Sequence, residues 1–88
     1  MRWHTVPRKL LALRNFHGEL VVRNAATGST HLLQPLAAEV FARLMETRQG
    51  LTAKELAGML NDDEASATAA MEQLLDELKR LGLAERVD

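Results

Sequence analysis

The stretch Asn24-Ala-Ala-Thr-Gly-Ser-Thr-His-Leu-Leu-Gln-Pro35 decides the fold of this 88-residue chain. It predicts the end of one strand, a turn at Gly28, a return strand over residues 30–33 and a helix that opens at Pro35. Because the segments that follow are mainly helical in pattern, the return strand should lie at the edge of its sheet. An edge strand carries unpaired backbone N–H and C=O groups, to which another chain can add as a further strand.

Two short segments rich in Leu and Val precede this stretch, at residues 10–14 and 19–24. Residues 15–18 between them contain Asn and Gly, which suit a tight turn. In the second segment, Leu20 and Val22 alternate with their neighbours as a half-buried strand requires. The three segments therefore predict an antiparallel meander in which the first and third strands are the edges.

Apolar residues recur at helical spacing downstream of the meander. Pro35 suits the first position of a helix, because its missing N–H would have had no partner there. This first helix should end at residues 48–50. Its apolar stripe consists of Leu36, Ala37, Val40, Phe41, Leu44 and Met45.

The second helix carries the clearest local signature. Thr52 and Glu55 have the spacing of a capping box, in which each side chain bonds to the backbone N–H of the other residue. Leu51 and Leu56 are spaced to pack on each other across the cap. The side chains expected to face inward are Leu56, Met59 and Leu60.

The third helix is the longest. Asn61-Asp-Asp63 should end the second helix and cap this one. Gly82 is expected to follow its last residue in the left-handed conformation, with Leu83 packing back on Leu78. Residues 83–87 could add a short extended piece. The apolar stripe of the third helix consists of Ala67, Met71, Leu74, Leu78 and Leu81.

These elements predict a single α+β domain over residues 1–88. Its order is β-β-β-α-α-α, a three-stranded antiparallel sheet followed by a three-helix bundle in a winged-helix-like arrangement. Hydrophobic residues make up 47% of the chain and aromatic residues 3%, so the core should consist mainly of Leu, Ala and Val. A chain of this length buries a small core, and forming a homodimer would add burial.

Composition also limits the function classes. The absence of cysteine excludes disulfides, thiolate metal sites and thiol catalysis. The longest unbroken apolar run, residues 10–13, is far too short to span a bilayer. The first residues contain no apolar segment of signal-peptide length. We therefore expect a soluble, cytoplasmic protein with no membrane partner.

No motif for catalysis or cofactor binding is present. His4, His17 and His31 lie in separate segments without the short spacing of metal ligands, so no metal site is expected. Ser29 could share a strand side with His31, but no acid to orient the histidine is evident, and a turn serine is favoured. We predict no catalytic residues, no cofactor and no enzymatic activity.

Charge is distributed unevenly along the chain. Residues 1–33 contain five basic side chains against Glu19 alone, whereas residues 62–77 contain six acids and no base. The third helix would be the recognition helix of a winged-helix nucleic-acid binder, but its acids would repel phosphates. Nucleic-acid binding is therefore disfavoured, although it stays open as an alternative. Arg14 and Arg23 would instead steer an acidic or amphipathic peptide.

Peptide binding by strand addition requires a free strand edge and an apolar groove beside it. Residues 30–33 supply the edge, and the third helix could supply the groove wall. On that helix Leu74 and Leu78 belong to the main stripe and are expected in the core, whereas Leu75 lies off the stripe and is the better groove candidate.

Several segments together resemble the PqqD-like peptide chaperones, and most closely the subgroup found with HPr-kinase-related proteins. The resemblance covers nearly the whole chain, and the Gly-Ser-Thr-His-Leu-Leu segment is its most specific part. The segments that carry it are Trp3, Glu19-Leu-Val-Val22, Ala26-Thr-Gly-Ser-Thr-His-Leu-Leu33, Pro35-Leu-Ala-Ala38 and Leu51-Thr-Ala-Lys-Glu-Leu56.

The resemblance implies a domain that binds the leader of a ribosomally made precursor peptide and presents it to a separate modifying enzyme. The leader would pair with the third strand, in a groove beside the third helix. The implied contacts are Thr30, His31, Leu32 and Leu33 on the strand, and Met71, Leu75 and Leu78 on the helix.

Two departures from the family pattern bear on the client. Ser29 follows the turn glycine, where this subgroup commonly carries aspartate. Gln34-Pro35 opens the first helix, where members of the quinone-cofactor pathway carry Leu-Asn. These departures argue against a role in pyrroloquinoline quinone biosynthesis and leave the client peptide unassigned. A purely structural dimerisation module is the other alternative from a different class.

Overall fold

The computed structural model of the chain describes residues 2–60 and 65–87, and for Ala65 it describes the backbone only. A short 3-10 helix, Arg8–Leu10, follows the first strand. The elements are, in chain order, β1 (Arg2–Thr5), β2 (Leu11–Phe16), β3 (Glu19–Asn24), β4 (Ser29–Leu33), α1 (Pro35–Met45), α2 (Ala53–Met59), α3 (Ala65–Arg80) and β5 (Ala84–Val87).

The described residues form an α+β fold with a three-stranded antiparallel sheet and three helices, as predicted. The strand order of this sheet is β2-β3-β4. The predicted element order was incomplete, because β1 and β5 form a second, two-stranded antiparallel sheet. This sheet joins the two ends of the chain, and β1 was not predicted. The extended tail over residues 83–87 is present as β5.

The turn between β2 and β3 is tighter than predicted. His17 and Gly18 have φ angles of 48° and 88°. Two successive positive φ angles are what a two-residue hairpin turn needs to match the twist of its strands. The strand β2 therefore continues to Phe16, two residues beyond its predicted end.

The helices pack on the inner face of the larger sheet, where the side chains of Val22, Phe41, Leu56 and Leu78 are among the buried core. Two residues expected to face inward do not. Leu36 is 62% exposed and Met59 is 46% exposed. Leu36 is the second residue of α1 and Met59 is the last residue of α2. At these positions the helix extends beyond the buried core, so the side chain is exposed to solvent.

The inward face of α3 is centred differently from the prediction. Leu75 is 0% exposed, and Met71 and Leu78 are also buried, whereas Leu74 is only partly buried. Residues 71, 75 and 78 share one helical face at spacings of four and three. The expectation that Leu75 lies off the core and Leu74 within it was therefore wrong.

The end of α3 follows the predicted signal. Leu83 N–H donates to Leu78 C=O at 2.9 Å and Gly82 N–H to Lys79 C=O at 3.0 Å, with Gly82 at a φ of 79°. This pattern is the Schellman motif, and the buried Leu83 completes it. The predicted cap at residues 61–63 lies outside the described residues.

The predicted end of α1 at residues 48–50 was wrong, because α1 ends at Met45. Thr47 N–H bonds three residues back, to Leu44 C=O, instead of continuing the helix.

The capping box of α2 is present. Glu55 N–H donates to Thr52 Oγ1 at 3.0 Å, and Thr52 N–H donates to Glu55 Oε1 at 2.9 Å. The bond from the Thr52 backbone, together with the Thr52 side chain and the nearby Arg2 guanidinium, lowers the pKa of the Glu55 carboxyl. This stabilisation is present above the ordinary glutamate pKa and is lost as the pH falls through the lowered one.

Substituting Thr52 by Ala is expected to lower the free energy of unfolding by about 1 kcal/mol, because it removes the cap acceptor. Urea unfolding followed by circular dichroism measures the change. Thr30→Ala is the matched control, since Thr30 is exposed and its side chain makes no hydrogen bond among the described residues. Equal costs for the two variants would contradict a contribution from the cap.

Candidate functional site

The strand β4 lies at an edge of the three-stranded sheet, as predicted. Its neighbour on one side is β3, and no other described strand pairs with it. The chain's own tail does not cover this edge, because β5 pairs with β1 instead. The edge of β4 is therefore open to a further strand in the described structure.

The register identifies which backbone groups face this edge. Ala25 N–H donates to Leu10 C=O at 2.7 Å, which extends the ladder between β3 and β2 and marks this position as a hydrogen-bonded pair. Hydrogen-bonded and non-hydrogen-bonded pairs alternate in an antiparallel ladder. The odd-numbered residues of β3 therefore bond to β2, and its even-numbered residues bond to β4.

On β4, the partners of the even-numbered β3 residues are Ser29, His31 and Leu33. The N–H and C=O groups of these three residues are directed to β3. Thr30 and Leu32 lie between them, so their N–H and C=O groups point away from β3 toward the free edge. These are the groups that an added strand would meet.

The side chains of β4 alternate between the two faces of the sheet. Leu33 is buried in the core, and His31 on the same face is partly buried. Thr30 and Leu32 are exposed, and Leu32 retains 54% of its accessible surface. The buried Nε2 atom of His31 has no hydrogen-bond partner among the described residues. A buried polar atom usually has a hydrogen-bond partner. The predicted contact of His31 with a peptide stays a prediction.

An apolar groove of about 280 Å³ lies among the three helices. Leu36 stands at one wall, three residues beyond the end of β4, so the groove opens near that end of the edge strand. We call this the apolar groove. Its lining is Leu36, Ala57, Leu60, Ala67, Ala70, Met71 and Leu74.

The apolar groove includes one of the three predicted helix contacts. Met71 lines it, whereas Leu75 and Leu78 are buried in the core and do not. Leu74 lines it in place of Leu75. The spacing of Leu36 and Leu60 predicts that each lies in the apolar stripe of its helix. Spacing along one helix does not predict where the three helices meet, so the groove itself was not predicted. Whether any of these residues contacts a peptide stays a prediction.

Arg14 and Arg23 both lie exposed on the outer face of the sheet, away from the helices. Arg23 stands directly opposite Thr30 of the edge strand. Neither arginine forms an ion pair within the part of the chain that the structure describes. Arg23 therefore places positive charge next to the free edge of β4, whereas Arg14 lies two strands away on β2. A role of either residue in steering an acidic peptide stays a prediction.

Two further features are absent from the described ranges, namely a group of metal ligands and a membrane-spanning helix. Over residues 2–60 and 65–87, no three His, Asp or Glu side chains are grouped so that they could hold a metal ion. None of the described helices has the length and apolar character needed to cross a bilayer.

Comparison with known proteins supports the fold. No family model matches the chain, and no curated protein does either. A solved structure of TbiB1 in complex with the TbiA(beta) leader peptide is 14% identical, covers 90% of this chain and 93% of its own, and has a TM-score of 0.70. A lasso peptide synthetase B1 complexed with the leader peptide is 20% identical, covers 98% of this chain and 100% of its own, and has a TM-score of 0.72. At these identities the chain shares their fold over nearly its whole length.

Proposed function

We propose that this chain is a non-enzymatic binding protein for the leader of a ribosomally made precursor peptide. The leader adds as a strand to the free edge of β4, and the bound precursor is presented to a separate modifying enzyme. The observation that carries the proposal is the open edge at Thr30 and Leu32, followed three residues after the end of β4 by Leu36, which lines the apolar groove. The likeness in fold to two proteins solved with leader peptides supports it. We place this function in the cytoplasm and in the PqqD-like group, in the subgroup associated with HPr-kinase-related proteins.

The edge and the groove would contribute differently to binding. Thr30 and Leu32 offer few backbone groups, and each hydrogen bond contributes only about 1 kcal/mol net. Affinity must therefore come mainly from apolar side chains of the leader that enter the groove. Backbone pairing tolerates many sequences, so the groove, together with His31 and the two arginines, would determine which leader is preferred.

The exposed acids of α3 weigh against the nucleic-acid alternative. Glu72, Asp76 and Glu77 are all solvent-exposed on the helix that would have to enter a groove of the duplex. Carboxylates at that position repel the phosphate backbone, which dominates the affinity of most nucleic-acid complexes.

Amide hydrogen exchange tests the proposal directly. Peptides selected from a random display library on the immobilised chain serve as the probe. At a peptide concentration about 100 times Kd, the Thr30 and Leu32 amides should exchange roughly a hundredfold more slowly, because pairing protects them from water. Exchange at Leu13, on the opposite edge of the sheet, should not respond to peptide.

Two results would contradict strand addition at β4. One is a failure to select any peptide that binds above the level of the unselected library. The other is a peptide that binds with full affinity and leaves the Thr30 and Leu32 amides unprotected. Protection of β2 amides instead would place the peptide on the wrong edge of the sheet.

A further inference from the structure

The strand β2 forms the second edge of the three-stranded sheet. By the alternation of the ladder, Leu13 and Asn15 direct their N–H and C=O groups away from β3. Leu11 directs its C=O the same way, while its N–H is already bonded to Arg8 C=O. Within the described residues nothing pairs with these groups, so β2 presents a second open edge.

The surface beside this edge is mainly apolar, with Asn15 and Glu39 as its polar members. The helix α1 packs mainly on β1, β3 and β4. On the inner face of β2, Leu11 packs against the core, whereas Leu13 and Asn15 are exposed. A groove of about 360 Å³ lies there, between Leu13 on β2 and Met45 on α1. Leu13 faces it and is 43% exposed. Edge strands of soluble proteins are usually protected by proline, a bulge or several charges, and β2 has Arg14 as its single charge.

The sequence of β2 is complementary to itself. In an antiparallel pair of two β2 strands centred on Leu13, Leu13 stands opposite Leu13 of the second copy. Each Asn15 N–H then meets Leu11 C=O of the second copy, and the two Leu13 residues exchange N–H to C=O bonds. In this register the N–H groups of Leu13 and Asn15 both find an acceptor on the second copy. The third outward N–H, that of Leu11, already donates to Arg8 C=O within its own chain.

Charge disfavours the neighbouring register that is centred on Arg14. Centring the pair on Leu13 places Arg14 opposite Ala12 of the second copy, whereas a register centred one residue further would place the two Arg14 side chains directly opposite each other. Like charges at opposed positions destabilise a sheet. A two-fold axis requires an interface of this self-complementary kind.

We propose that a second copy of this chain binds along β2, so that one antiparallel sheet runs through both copies. Leu13 from each copy would cover the groove beside the other's strand, which adds burial to a small core. The two β4 edges lie at the far ends of the joined sheet and stay open. The dimer would therefore hold two peptides at once, and its formation does not depend on peptide binding.

Sedimentation equilibrium from micromolar to millimolar concentration tests the proposal. Wild type should be a dimer, and Leu13→Pro, which removes the central outward N–H, should raise the dimer dissociation constant at least about thirtyfold. Leu13→Lys keeps the backbone donor but opposes two ammonium groups, so it should also yield monomers. The control is Leu32→Pro, which alters the other edge and should leave the dimer unchanged.

A wild-type protein that stays monomeric at millimolar concentration would overturn this proposal and leave peptide binding at β4 intact. A dimer that Leu32→Pro disrupts and the two Leu13 variants do not would overturn it as well, and would show that β4 is occupied by the partner. Monomeric Leu13 variants that retain their far-ultraviolet spectrum and still bind the selected peptides would support both proposals.

Discussion

Replacing Leu75 with Ala is expected to lower the free energy of unfolding by about 3 kcal/mol. The Leu75 side chain is 0% exposed and belongs to the main core cluster, so its truncation removes apolar burial and leaves a cavity. Leu74→Ala is the matched control on the adjacent position of α3. Leu74 is partly exposed in the apolar groove, so its truncation should cost about 1 kcal/mol.

Urea unfolding monitored by circular dichroism measures both costs, with the chain concentration held constant because association would shift the transition. For peptide binding we expect the reverse order, with the larger effect from Leu74→Ala. Leu74→Ala should weaken binding of the selected peptides, whereas Leu75→Ala should leave binding unchanged under conditions where it stays folded. Equal unfolding costs, or a larger effect of Leu75→Ala on peptide affinity, would contradict the placement of these two residues.

The contrast between Leu74 and Leu75 shows how far helical periodicity can predict this core. The stripe on α3 was recognised correctly as a helix face, because apolar residues recur every three or four positions. Periodicity does not tell which of two adjacent leucines faces the centre of the core. That choice depends on how α3 is rotated against the sheet and α2, and this rotation is a property of the assembled fold.

The sheet formed by β1 and β5 could not be anticipated from local sequence. Trp3 pairs with Arg86 across the whole length of the chain, and its backbone also bonds to Leu51. Each strand has only four residues, and neither is bounded by its own hairpin turn. Long-range pairing of this kind leaves little local signal, because each strand is specified by a partner distant in sequence.

The edge position of β4 was predictable for the opposite reason. A glycine turn before it and a proline helix start after it limit its neighbours to β3. What the sequence could not show is the direction of each backbone group. That required the register, since a shift by one residue would exchange Thr30 and Leu32 for His31 and Leu33 at the free edge.

Replacing Leu32 with Pro is expected to weaken binding of the selected peptides by roughly ten- to a hundredfold. Proline removes the Leu32 N–H, which points to the free edge, and would leave a buried carbonyl of the added peptide without a donor. The ladder to β3 does not use this N–H, so the sheet should persist. The preceding residue, His31, is already extended, which proline requires of its neighbour.

Two controls separate the backbone of Leu32 from its side chain and from general destabilisation. Leu32→Ala removes most of the exposed side chain but keeps the N–H. Its loss of peptide affinity therefore measures the contribution of the side chain alone and should be smaller than that of Leu32→Pro. Leu13→Pro removes an outward donor from the opposite edge and should leave the affinity per chain unchanged. Fluorescence anisotropy with labelled selected peptides measures all three affinities. If Leu32→Pro binds as tightly as Leu13→Pro, then the peptide does not pair with β4, since an added strand cannot bond where the donor is missing.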